Sequence, residues 1–284
     1  MATQSVGVTI RRRRRSRRWS TRNIVLVAIM CVVTVVMLYP FGFMLNNSFK
    51  TERQFEGAAG HSIASWRALG HAIPVGRELL NSTIVCVGSI AIIIAVSSLA
   101  GFAFAKLRYR FAVLVLVGII AAMLIPMQSI IIPAYVNLSK VHLLSGYWAA
   151  ILLYAALGTP FATFLMTTYY RSLPDELVEA AIVDGLSYRG TFLRIALPMS
   201  IPALVTVAVL QFIQIWDDLL VGLLFLQNTN DRTITVGLGV LSSGRTTDVP
   251  VLMAGSIVSA IPAIVVYLVF QRQLVSGLTV GMGK

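Results

Sequence analysis

Six apolar stretches leave this chain few ways to fold, because a helix of about 20 such residues matches the ~30 Å hydrocarbon layer of a bilayer. They run from Ile24 to Leu45, Thr83 to Phe104, Phe111 to Pro133, Tyr147 to Thr168, Ile201 to Leu224 and Val251 to Phe270. With 57% hydrophobic and 12% charged residues in 284, the chain carries more apolar surface than one water-soluble core can bury. Lipid must be the solvent, so each span has to satisfy its own backbone hydrogen bonds. The expected class is all-α: a polytopic integral membrane protein with six transmembrane helices.

Charge sets the orientation. Arg11 to Arg15, Arg17, Arg18 and Arg22 supply eight of the 23 basic side chains and much of the net charge of +12. With the N-terminus inside, cytoplasmic segments hold 16 Lys and Arg and outer segments seven, a bias that rests on this arm. An even number of spans returns the C-terminus to the cytoplasm. Residues 1–22 read as a basic, disordered arm and 23–284 as one membrane domain. A run of like charge also binds nucleic-acid phosphates generically. Its place directly before a span, with Trp19 as its one aromatic, suits an anchor at an anionic leaflet instead. The apolar run after Arg22 is longer than a signal-peptide core, and no small-x-small cleavage pattern follows Leu38, so a cleaved leader is not expected.

Reactive chemistry is scarce. Cys31 and Cys86 fall inside predicted spans and read as small packing residues. His61, His71 and His142 fall in outer segments without metal-ligand spacing, so neither a metal nor another bound cofactor is expected. A phosphate-binding loop needs Gly, four residues, then Gly-Lys-Ser/Thr, but the one Gly-Lys pair is Gly283-Lys284, with Leu278 where the first Gly belongs. Leu241-Ser242-Ser243-Gly244-Arg245 looks like part of a transport-ATPase signature, yet it lies in a predicted outer loop without the rest of such an enzyme. No Ser-His-Asp, Cys-His or paired-carboxylate arrangement sits at workable spacing, so the chain is expected not to be an enzyme.

Two places stand out. Between the fourth and fifth spans, Pro174-Asp175-Glu176-Leu177-Val178-Glu179-Ala180-Ala181-Ile182-Val183-Asp184-Gly185 runs on to Ile195-Ala196-Leu197-Pro198. Ser172 suits a cap, Pro174 the first helical turn, Asp175 and Glu176 the positive end of the helix dipole, and Gly185 a left-handed stop. Ser187 suits the cap of a second helix, expected to run through Tyr188, Phe192 and Ile195 until Pro198 ends it. This cytoplasmic hairpin reads as a surface offered to a soluble partner. In the fifth span, Gln211, Gln214 and Asp218 are three and four residues apart and would share one helical stripe beside Trp216 and Asp217. A carboxylate near a bilayer centre costs ~2.5 to 3.5 kcal/mol, so Asp217 and Asp218 should not face lipid. The stripe lines a translocation path or bonds a neighbouring helix; spacing allows either. Pro126 breaks the third span beside Gln128, a further path residue.

The hairpin residues Glu179-Ala180-Ala181, Asp184-Gly185 and Leu197-Pro198 closely resemble the cytoplasmic signature of permease subunits of binding-protein-dependent ABC importers. Asn47-Ser48-Phe49-Lys50, Asn81-Ser82, Ala105-Lys106-Leu107-Arg108, Ile125-Pro126-Met127-Gln128, Ile132-Pro133 and the segment from Gln271 through Gly277-Leu278 resemble the carbohydrate-uptake branch, of the maltose type. The likeness covers Tyr39 to Lys284. It implies a type I importer permease fold in a bacterial inner membrane, with the hairpin as the coupling helix. It also implies a second, homologous permease and an extracytoplasmic solute-binding protein, with two cytoplasmic ATPase subunits that carry ATP and Mg. Leu177, Ala180 and Ala181 would then pack into an ATPase groove, and Glu179 would pair with a basic residue there. The chain departs from the family in having Trp216-Asp217-Asp218 where Trp-Asn and an acid are usual. A secondary transporter or channel working without ATP is the alternative, but it would carry internal repeats or buried coupling charges that this sequence does not display.

Overall fold

The computed structural model describes residues 21–107, 109–244 and 248–279. The arginine arm before Thr21, Arg108, Arg245 and Gly283-Lys284 lie outside the described residues. Two compact units divide between Asn46 and Asn47. The first is essentially α1 (Thr21–Ser48), whose side chains from Thr21 to Phe43 are all exposed. A helix apolar on every side is suited to lipid.

The second unit is also helical, with no strand among the described residues. Its first segment, which holds His61 and His71 and was expected on the outer side, contains α2 (Glu52–Phe55) and α3 (Ala64–Ala72), and the next helix starts earlier than the expected Thr83. That helix is α4 (Val75–Lys106). After it come α5 (Ala112–Ala121) with a 3₁₀ turn (Ala122–Leu124), α6 (Met127–Lys140) and α7 (Trp148–Ser172). The hairpin is α8 (Asp175–Val183), α9 (Tyr188–Thr191), a π turn (Phe192–Ala196) and α10 (Leu197–Met199). α11 (Ile201–Trp216), α12 (Leu220–Phe225), α13 (Ile234–Ser242) and α14 (Val249–Thr279) complete the described chain.

The core is the contact between α4 and α7, and small side chains make it. Ser89, Ser97, Ser98 and Gly101 of α4 are buried, as are Ala155, Gly158, Ala162, Thr163 and Thr167 of α7. A Cβ at Gly101 would stand 2.7 Å from Met166 Cβ and 2.9 Å from the Thr167 nitrogen, so the missing side chain lets the two backbones meet. In lipid, where apolar contact alone gives helices little reason to associate, such close approach is a main source of packing energy. α11 packs on this pair and on α14, where Thr206 Oγ1 donates to the Gln273 carbonyl (3.1 Å).

Among the described residues α1, α4, α7 and α14 are each long and apolar enough to cross a membrane, and the number reaches six when each of two bent helix pairs is counted as one span. The first bend is the break expected at Pro126; the second departs from the expected course of the fifth span. The third span turns by 99° between Leu124 and Met127, because Pro126 has no N–H and holds Ile125 in an extended conformation (φ −81°, ψ 118°). The fifth does not run unbroken to Leu224: α11 stops at Trp216, and its bent partner is the hairpin's second arm, at 70°.

Candidate functional site

The hairpin begins after only two extended residues, Leu173 (φ −73°, ψ 134°) and Pro174 (φ −53°, ψ 136°). Pro174 occupies the N-cap position, and Ser172, expected as the cap, instead donates its hydroxyl to the Tyr169 carbonyl (2.7 Å). The C-terminal end forms as expected. Gly185 adopts φ +88°, its N–H donates to the Ile182 carbonyl (3.0 Å), and the Leu186 N–H donates to the Ala181 carbonyl (3.0 Å), which closes a Schellman turn. Ser187 caps α9, with Oγ accepting from the Gly190 N–H (3.2 Å). Pro198 does not end the second arm. The π turn sends the Leu197 N–H five residues back to the Phe192 carbonyl, and the helix passes through Pro198, which has no N–H to place, to Met199.

Packing sorts the hairpin residues. Val178 and Ala181, three apart, turn inward and are buried, so Ala181 does not present its methyl to a partner as expected. Glu179, Ala180, Asp184, Gly185 and Pro198 are exposed, and Leu197 is half-buried. Leu177 and Ile182 are also exposed, and Val183 at the end of α8 is 86% exposed. A cleft of about 370 Å³ between the end of α4 and α8 is lined by Lys106, Asp175, Glu179, Ile182 and Tyr188. The hairpin therefore presents apolar knobs and carboxylates together, the chemistry of a helix that seats in a groove.

The second constellation gathers where α11 ends. The Trp216 indole N–H donates to the Ser259 carbonyl of α14 (2.9 Å), its ring stacks on Phe212 (centroids 5.1 Å apart), and its carbonyl accepts from Thr235 Oγ1 of α13 (2.8 Å). The Asp218 carboxylate accepts from the Tyr154 hydroxyl (2.9 Å) and from the Val221 N–H (2.8 Å) at the start of α12. Gln211 is buried, with its amide against Gly158, one turn along α7 from Tyr154. Because α11 ends before Asp217, the three polar residues do not form one continuous stripe. Gln211, Trp216 and Asp218 knit helices together; Gln214 and Asp217 are exposed, as is Gln128 in the first turn of α6.

Four polar residues with structural roles were not named as site residues from the sequence. Asn81 donates to the carbonyls of Asn230 (2.9 Å) and Arg232 (2.8 Å) and accepts from the Tyr147 hydroxyl (2.7 Å). Beside it, Ser82 Oγ accepts from the Ile234 N–H (2.9 Å), so the segment before α13 is fastened to the N-terminal part of α4. Tyr147 and Tyr154 complete the set. The available signal was the Asn81-Ser82 pair itself, polar side chains at the start of an apolar span.

A family model described as "binding-protein-dependent transport system inner membrane component" matches residues 94–279. An ABC transporter permease protein (ORF2) of Caldicellulosiruptor sp. strain Rt8B.4 is 32% identical, over 90% of this chain and 94% of its own length. The trehalose/maltose transport system permease protein MalG of Thermococcus litoralis is 29% identical, over 93% of this chain and 97% of that protein. The crystal structure of a bacterial ABC transporter involved in import of the acidic polysaccharide alginate contains a chain with the same fold. It gives a TM-score of 0.77 at 20% identity and covers 88% of this chain and 95% of that one.

Proposed function

We propose, from the premise that this chain belongs to the family of binding-protein-dependent transport system inner membrane components, that it forms half of a carbohydrate path and is driven through its 174–198 hairpin. It is a membrane-embedded permease subunit of an ABC importer. In our reading a second, homologous permease supplies the other half of the path, and a solute-binding protein delivers the sugar. Two ATPase subunits, holding ATP and Mg, dock from the cytoplasm, where both termini of this chain lie. Glu179 pairs with a basic side chain of the ATPase, while Leu177, Ala180 and Val183 fill its groove. Closure of the ATPase pair then displaces α8 and, through it, the spans. Gln128, Gln214 and Asp217 offer amides and a carboxylate that suit sugar hydroxyls, and a carboxylate there favours a neutral sugar over an acidic one.

The carrying observation is the hairpin: apolar side chains exposed outside the spans, on a helix closed by a Schellman turn. In vesicles containing the complete transporter, Glu179→Ala and Val183→Asp should each lower substrate-stimulated ATP hydrolysis about tenfold, the equivalent of ~1.4 kcal/mol at the contact. Membrane insertion should persist. Full stimulation in both variants, or uptake by this chain without ATP, would refute the coupling role.

A further inference from the structure

The join between α7 and α8 is only two residues long. Leu173 and Pro174 are extended, Pro174 gives no N–H, and the Leu177 N–H reaches the Pro174 carbonyl only at 3.4 Å. A helix attached by two such residues can swing about them, and force applied to its far end is then lost as bending.

One side chain bridges this hinge. Lys106, the last residue of α4, donates from Nζ to the Leu173 carbonyl on one side (2.6 Å) and to Asp175 Oδ1 on the other (2.6 Å). Its side chain is 3% exposed while that of Asp175 is 69% exposed, so the ammonium is drawn out of water to reach both acceptors. A buried ammonium is tolerated only where acceptors replace its hydration, which makes the two contacts obligatory for this position of the side chain. The cation also sits at the C-terminal, negative end of the α4 dipole.

We propose, building on the coupling role of the hairpin, that Lys106 is a positioning residue for transport: it locks α8 to α4 across the hinge at 173–174. Motion imposed on α8 then passes directly into the α4–α7 pair that forms the core. The lysine touches neither sugar nor nucleotide. Its effect is on the transmission of motion.

The test reads hinge stiffness and coupling separately. Spin labels are placed through Leu99→Cys and Val183→Cys, both at exposed side chains (57% and 86%), in the full-length chain in lipid nanodiscs with Cys31 and Cys86 replaced by Ala. With Lys106 present the two labels should give one narrow distance; in Lys106→Met that narrow distance should be lost. In the unlabelled complete transporter, Lys106→Met should lower the ratio of substrate-stimulated to basal hydrolysis, and Lys106→Arg should restore both readouts. An unchanged distance distribution, or an unchanged ratio, in Lys106→Met overturns the proposal. Should Lys106→Met fail to insert, Asp175→Ala, at an exposed side chain, is read in the same two assays with the same consequences. The distance measurement uses no ATPase, so it tests the lock by itself, whereas failure of the coupling role shows as full stimulation in Glu179→Ala and Val183→Asp with the distance change intact.

Discussion

Asp217 and Asp218 are chemically identical, yet the end of α11 gives them different neighbours. Asp218 accepts from Tyr154 and Val221, so Asp218→Ala strands a hydroxyl and a helix-starting N–H and should cost about 1–3 kcal/mol of stability. The expected result is earlier thermal unfolding in detergent. Asp217 is exposed, and Asp217→Ala should leave the unfolding temperature in place while changing the sugar concentration at half-maximal uptake. Reversed effects would exchange the two roles. The sequence located this pair and its polar companions, but the shared stripe assumed an unbroken helix. What ends the helix is remote in sequence: Thr235 takes the Trp216 carbonyl and Ser259 the indole N–H, and neither leaves a trace in local propensity. Ala181 was misread for a related reason. A methyl on an exposed-looking helix is sorted inward or outward by the packing of Val178 beside it.

At the level of single elements, glycine marks where the design is tightest. Gly101→Val would drive a branched side chain into the backbone of α7 at Met166 and Thr167. Overpacking of this kind costs about 1–3 kcal/mol, and lowered folded yield in detergent should report it, with the exposed Leu99→Ala as a control that changes little. Gly185→Ala meets no neighbour but must adopt φ +88°, at ~1–2 kcal/mol for a residue with a Cβ. The chain should still insert while the end of α8 frays, seen as faster amide exchange at Gly185 and Leu186. Stop and start signals at Gly185 and Ser187 were legible because they act within four residues. Pro198 was not, since a π turn upstream removes the reason for a proline to end a helix.

For the whole molecule, six spans with a hairpin between the fourth and fifth were readable from hydropathy alone, because lipid permits little besides helices. The bend at Pro126 was legible in the proline itself, whereas the bend at Ser200 was not. The proposed orientation makes a direct prediction: a cysteine introduced at Val183 should react with an impermeant thiol reagent only from the cytoplasmic side, and one at Asn228 only from outside. The opposite labelling would invert the topology. α4 links these two sides. Asn81 and Ser82 near its first turns hold the 230–234 segment, Lys106 at its last holds the hairpin, and the 25 residues between Asn81 and Lys106 span ~38 Å of continuous helix. A rod gripped at both tips cannot tilt at one without disturbing the other, so under the proposed coupling news of a sugar's arrival and news of spent nucleotide would travel along the same beam, in opposite directions.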